Sequence, residues 1–164
     1  GNGAALAAEL GAVSADHLEQ TSDSGIQALA KSGTVPILLP ASVFCLGKSK
    51  YANARGMLDA GLPVVLASDF NPGSSPTPSL PFAMSLACTQ MKMTPLEALA
   101  GCTIHAAKSL GLSKESGSLD TGKRANFVLW DCDDEREIPY WTGAPIVYQT
   151  WIKGVPWTAR SASG

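Results

Sequence analysis

Residues 62–76, Leu-Pro-Val-Val-Leu-Ala-Ser-Asp-Phe-Asn-Pro-Gly-Ser-Ser-Pro, constrain the fold more than any other stretch. Val64, Val65, Leu66 and Ala67 leave no polar face. A strand of that kind is buried on both sides, as in a parallel sheet covered by helices. The run ends on Asp69, and a carboxylate at the carboxyl end of a buried strand stands where α/β and barrel folds place their chemistry. Its desolvation calls for a cation or several hydrogen bonds. From these residues alone two readings are open: Asp69 is a metal ligand, or it caps the following loop as an Asx turn.

Two further apolar runs, residues 12–18 and 35–39, read as strands, and helices are expected between the three. The first helix starts at Ser22 or Asp23 and runs to Lys31, with Ile26, Leu29 and Ala30 on one face and Gly33 as its stop. The second covers residues 51–60, with Met57 and Leu58 inward and Gly61 as its stop. Strand and helix in this alternation imply a parallel α/β sheet, either open or the last part of an eight-stranded barrel. Residues 2–10 also read as helix, and the sequence opens on Gly1 rather than Met. The expectation is therefore the carboxy-terminal part of a longer protein.

Downstream, residues 80–92 read as a helix, and residues 95–110 as one longer helix that ends at Gly111. Its start carries Thr94 at the cap, Pro95 in the first turn and Glu97 for a capping box. His105, among Ile104, Ala106 and Ala107 in that helix, is expected to be a packing residue. From Gly117 the pattern changes to short strands at residues 118–119, 126–131, 146–152 and 155–157, with a hairpin turn at Lys153 and Gly154. Trp130, Tyr140, Trp141, Tyr148, Trp151 and Trp157 gather there. Without basic neighbours they are expected to pack as core and not to stack on nucleic acid.

A net charge of −2 with no Lys/Arg cluster argues against nucleic acid or an anionic membrane as partner, which leaves a small molecule. No apolar run approaches the roughly 18 residues of a membrane span, and no basic and apolar leader opens the sequence, so a soluble, cytoplasmic protein is expected. Cys45, Cys88, Cys102 and Cys132 form no Cys-x-x-Cys pair and are expected as buried thiols of a reducing compartment.

His17 ends the first strand as Asp69 ends the third. Parallel strands would bring both to one rim, where one group binds a metal and the other hydrogen-bonds the water it acidifies. A capping or structural histidine is the alternative. Asp16 and Glu19 are set aside, the first as outward-facing and the second as the start of a loop. Asn71, Gly73 and Ser74 offer an amide, a backbone N–H and a hydroxyl beside Asp69, a set able to hold a carboxylate or phosphate. A catalytic metal takes about three protein ligands, and the chain has only two histidines, so the other ligands are expected outside this chain.

Together these residues resemble the amidohydrolase superfamily, and most closely those members that hydrolyse 4-imidazolone-5-propanoate. The most specific segments are residues 4–18, residues 68–76 with 79–84, and Pro139-Tyr140-Trp141. Residues 94–99, 106–107, 110–112, 117–119 and 122–129 are generic to the superfamily. The resemblance implies the C-terminal portion of a metal-dependent-hydrolase TIM barrel, strands six to eight with their helices (residues 1–112), plus part of a small β-sandwich (residues 113–164). It makes Asp69 a metal ligand, His17 the histidine that contacts catalytic water or substrate, and Asn71, Gly73 and Ser74 substrate-binding residues. The implied reaction adds water to the ring amide, giving N-formimino-L-glutamate, with one zinc or iron ion.

The superfamily's His-x-His pair, its strand-five histidine with the acidic or amide residue shortly after it, and its substrate-carboxylate Arg and Tyr would all lie before position 1. The chain alone is therefore expected to bind no catalytic metal tightly, to be inactive, and to self-associate through apolar edges at Val13 and Ile37. A homodimer of the longer protein is compatible with the resemblance. Two alternatives stay open: a deaminase-type amidohydrolase, and a non-catalytic half-barrel that completes itself with a second polypeptide.

Overall fold

Apolar runs that alternate with capped helices fold here into two small sheets and the helices that cover them, in a computed structural model describing residues 2–158. The order is α1 (Gly3–Glu9), β1 (Ser14–Asp16), α2 (Asp23–Ser32), β2 (Val35–Leu38), α3 (Pro40–Cys45), α4 (Ala54–Asp59), β3 (Val65–Leu66), α5 (Leu80–Met91), α6 (Pro95–Cys102), α7 (Ile104–Ser109), β4 (Phe127–Trp130), α8 (Glu137–Tyr140), β5 (Val147–Ile152) and β6 (Val155–Pro156). Residues 159–164, which close the second expected unit, lie outside the described residues.

The first three strands pair in parallel in the order β1-β2-β3, with Asp16 opposite Ile37 and Ile37 opposite Val65. They are shorter than the apolar runs, although the Ala67 N–H still donates to the Leu38 carbonyl at 3.1 Å. Pro36 sits in the central strand, where a missing N–H ordinarily breaks a ladder. Val35 donates to the Val13 carbonyl at 2.9 Å, so the next residue faces the β3 side, and β3 pairs only from Ile37 onward. No ladder bond is lost at Pro36. Leu29, Leu38, Met57 and Val64, each 0% exposed, form the core between this sheet and α2, α4 and α5.

Local signals set most helix ends. The Ser22 hydroxyl accepts the Gly25 N–H at 3.3 Å, and Gly33 closes α2 at φ 77°, a conformation that costs glycine nothing. α4 starts later than expected, because Asn53 supplies its cap by accepting the Gly56 N–H at 2.9 Å. α3 has no counterpart in the expectations; it begins at Pro40 directly after β2, and its residues Pro40 to Val43 are buried.

The single helix expected over residues 95–110 is two helices. Thr103 leaves helical geometry at φ −126° and ψ −90°, and its hydroxyl donates to the Leu99 carbonyl at 2.7 Å, a local bond that competes with the helix. His105 packs as expected, with Nδ1–H donating to the Val64 carbonyl at 3.0 Å.

The second sheet is antiparallel, β4-β5-β6, and Lys153 (φ 52°) with Gly154 (φ 77°) make the expected hairpin turn. Residues 118–119 form no strand: the Ser118 hydroxyl lies 2.5 Å from both Asp120 Oδ2 and Lys123 Nζ and holds a turn instead. Of the aromatic residues expected to pack, Trp130 is half-buried against the core, but most of the others are not covered. Tyr140, Trp141, Tyr148 and Trp157 are exposed, while Trp151 stacks on Phe127 with ring centroids 5.5 Å apart. Three short strands bury too little area to enclose the rest. Cys45 is likewise exposed, at the end of a short helix, and the other three cysteines are half-buried, with burial pushing the Cys102 thiol up to about 12. Val13 is exposed as expected, whereas Ile37, central in its sheet, is half-covered. Among the described residues no helix is long and apolar enough to cross a membrane.

α4 and α6 are locked by charge. Arg55 donates to both Glu97 oxygens, at 3.0 and 2.9 Å, while Glu97 closes the expected capping box by accepting the Thr94 N–H at 2.8 Å. The Arg55 guanidinium, ahead of the Thr94 donors, holds the Glu97 carboxyl at about 2 against an ordinary 4.5. A depressed carboxyl stabilises the fold above its unfolded value and loses that contribution as pH falls through the folded one. Acid titration of unfolding free energy is expected to fall by roughly 1 kcal/mol more in the wild type than in Glu97→Gln across that window, after allowance for solvent screening. Superimposable curves would remove this pair from the stability of the fold.

Candidate active site

Both candidate rim residues sit where a parallel strand gives way to a strained turn. His17 follows β1 directly at φ 69°, Leu18 continues at φ 72°, and Asp69, three residues beyond β3, stands at φ 53°. Non-glycine residues in the left-handed region are uncommon and cluster at functional positions when the surroundings hold them there. Here Leu18 packs on the core, and its carbonyl accepts the Thr21 N–H at 3.1 Å.

The loop after Asp69 is knit by Asn71. Its Oδ1 accepts the N–H groups of Gly73 and Ser74, both at 2.8 Å, and its Nδ2 donates to the Asp69 carbonyl at 2.6 Å and to Ser74 Oγ at 2.9 Å. Backbone bonds between Asn71 and Ser75, and the fully buried Ser75 hydroxyl on the Ser68 carbonyl at 2.6 Å, close the ring. The Asx turn thus belongs to Asn71, not to Asp69. The half-buried Asp69 carboxylate has one hydrogen-bond partner among the described residues, Ser74 Oγ at 3.5 Å.

His17, Glu19, Ser42, Leu46, Lys50 and Ser74 are among the residues lining a cleft of about 470 Å³ at this rim, with α3 as one wall. Ser74 joins the two candidate residues, since it lines the cleft with His17 and touches Asp69. Asp69, Asn71 and Gly73 do not line the cleft themselves, and Gly73 is exposed. Asp16 faces outward as expected. Glu19, set aside from the sequence, lies in the cleft with Oε1 3.6 Å from His17 Nδ1. Only the backbone reversal at two consecutive left-handed residues brings it there, and no local sequence signal announces that reversal.

Asp69 has the donor chemistry of one metal ligand. Among the described residues no group of three or more His, Cys, Asp or Glu is gathered closely enough to hold an ion, so these residues alone do not complete a metal site.

The model of the Amidohydrolase family matches residues 13–156. An imidazolonepropionase of Solibacter usitatus is 52% identical over 97% of this chain and 38% of its own length. That of Geobacillus kaustophilus is 51% identical over 93% of this chain and 35% of its own. The chain thus spans somewhat over a third of the length of these curated relatives. Among solved structures, an adenosine deaminase from Xanthomonas campestris with bound zinc aligns with a TM-score of 0.79 at 22% identity, covering 87% of this chain and 36% of that one. Guanine deaminase of E. coli aligns at 0.75 and 20% identity, over 90% and 39%. At such identities the likeness shows the fold alone.

Proposed function

The chain belongs to the amidohydrolase family, and we propose that it is part of a longer enzyme that hydrolyses the ring amide of 4-imidazolone-5-propanoate to N-formimino-L-glutamate in histidine degradation. The observation that carries this reading is the Asp69 carboxylate, held at the rim of a parallel sheet and relieved of the turn-capping role by Asn71. The half-identity to imidazolonepropionases supports the choice of substrate.

In this reading β1, β2 and β3 are strands six to eight of a (β/α)₈ barrel within residues 1–112, and residues 113–164 belong to a small β-sandwich. Asp69 is one ligand of a zinc or iron ion whose other ligands lie outside the described residues. When bound, such an ion supplies Lewis acidity toward a carbonyl and acidifies water. The rest of the work falls to side chains of this chain. His17, open to the cleft, takes a proton from attacking water and returns it to the departing ring nitrogen, since an imidazole nitrogen can both accept and donate a proton. Ser74 Oγ meets the substrate in the cleft, and Asn71 and Gly73 complete the substrate-binding loop through the turn they hold.

The test is a substrate panel on the complete, metal-loaded protein. Water-dependent loss of 4-imidazolone-5-propanoate with matching appearance of N-formimino-L-glutamate is the expected result. Ammonia release from an aminated purine or pyrimidine, with the imidazolone untouched, would overturn the reading in favour of a deaminase.

A further inference from the structure

We propose that Glu19 is a positioning residue for His17, fixing which nitrogen of the imidazole carries the proton; the inference rests on the role of His17 given above. Four observations converge on it. Glu19 Oε1 stands 3.6 Å from His17 Nδ1, longer than a hydrogen bond but short enough for electrostatic orientation of the ring. Contacts of this kind are often long in a ligand-free site and tighten when substrate binds. Both residues line the same cleft as Ser74. The Glu19 side chain is the more enclosed of the two, at 21% exposure against 52% for His17, so the carboxylate is the fixed member and the ring the one it orients.

The fourth observation is the backbone. Two consecutive non-glycine residues at φ 69° and 72° are strained, and the packing of Leu18 and its bond from Thr21 hold them there. The reversal brings the residue two places after the histidine back against the histidine's own ring. A carboxylate can only accept a hydrogen bond, so an Nδ1 facing it carries the proton, and Nε2 is left as the acceptor. An unprotonated Nε2 is what proton uptake from water requires.

The experiment compares wild type, Glu19→Met and Glu19→Gln in the complete protein by two readouts. One is the pair of ring ¹⁵N shifts of His17, which report the tautomer without reference to activity. The other is kcat and KM for 4-imidazolone-5-propanoate. Glu19→Met is expected to move the ring shifts toward a tautomer mixture and to lower kcat about ten- to a hundredfold, part of what a positioned acid–base group contributes, with KM changed less than about threefold. Glu19→Gln, which keeps an acceptor, is expected to retain part of both. Unchanged ring shifts in Glu19→Met overturn the proposal whatever happens to kcat, and so do shifted rings with kcat intact. If the wild type does not turn over the imidazolone, the reading of function fails separately, and the ring shifts alone decide the Glu19 contact.

Discussion

Asp69→Asn in the complete, metal-loaded protein is expected to lower kcat/KM by about three orders of magnitude, the rate equivalent of the several kcal/mol that metal Lewis acidity contributes. It is also expected to reduce bound metal below one ion per chain. Asparagine is the informative replacement because it tolerates the left-handed φ of 53° at this position, where alanine would add strain. The loop should survive, since its bond to residue 69 runs from Asn71 Nδ2 to the backbone carbonyl, and the side chain contributes only the 3.5 Å contact from Ser74. Metal content by mass spectrometry, circular dichroism and turnover together separate loss of the ion from loss of the fold. Full occupancy with unchanged turnover would remove Asp69 from the chemistry.

The parallel sheet was legible in the sequence because β2 and β3, largely buried, write themselves as apolar runs and β3 gives way to polar residues close to Asp69, whereas β1, Ser14 to Asp16, is half-covered and shows only a weaker apolar pattern. The capping box was legible because both its partners lie within one turn of chain. What escaped depends on contacts between distant residues. Thr94, Glu97 and Gly111 carry the signals of one uninterrupted helix, yet Gly101 packs so closely on β3 that an added Cβ would lie 3.1 Å from the Val64 carbonyl, and the helix breaks two residues later. α3 begins without a polar cap, so nothing in Pro40 to Cys45 separates it from the end of β2. Composition marks Tyr148 and Trp157 as apolar, but a covering layer decides whether they are buried. At the site, the residue types at positions 17 and 69 were readable. The place of Glu19, and the transfer of the Asx turn from Asp69 to Asn71, follow from backbone angles and hydrogen bonds that residue types do not encode.

Leu38→Ala is expected to be the most damaging single substitution in the sheet, at about 3 kcal/mol, or a drop in Tm near 10 °C for a chain of this size. Leu38 is fully buried, lies opposite Leu66 in the parallel ladder, and offers its carbonyl to Ala67, so its strand is the one that ties β3 to the rest of the sheet. Truncation removes the apolar contacts and leaves a cavity that neighbours at full packing density close only in part. Against a total stability of about 5–15 kcal/mol, that loss is a large fraction. Val13→Ala is the matched control: the residue lies just before β1, and its side chain is 69% exposed, so its truncation should cost less than about 0.5 kcal/mol. Urea unfolding of the two variants at equal, low protein concentration gives the comparison directly. A small and equal loss at both positions would mean that the layer beneath Asp69 is not the core that holds β3, and that the rim geometry of the site is supported from elsewhere.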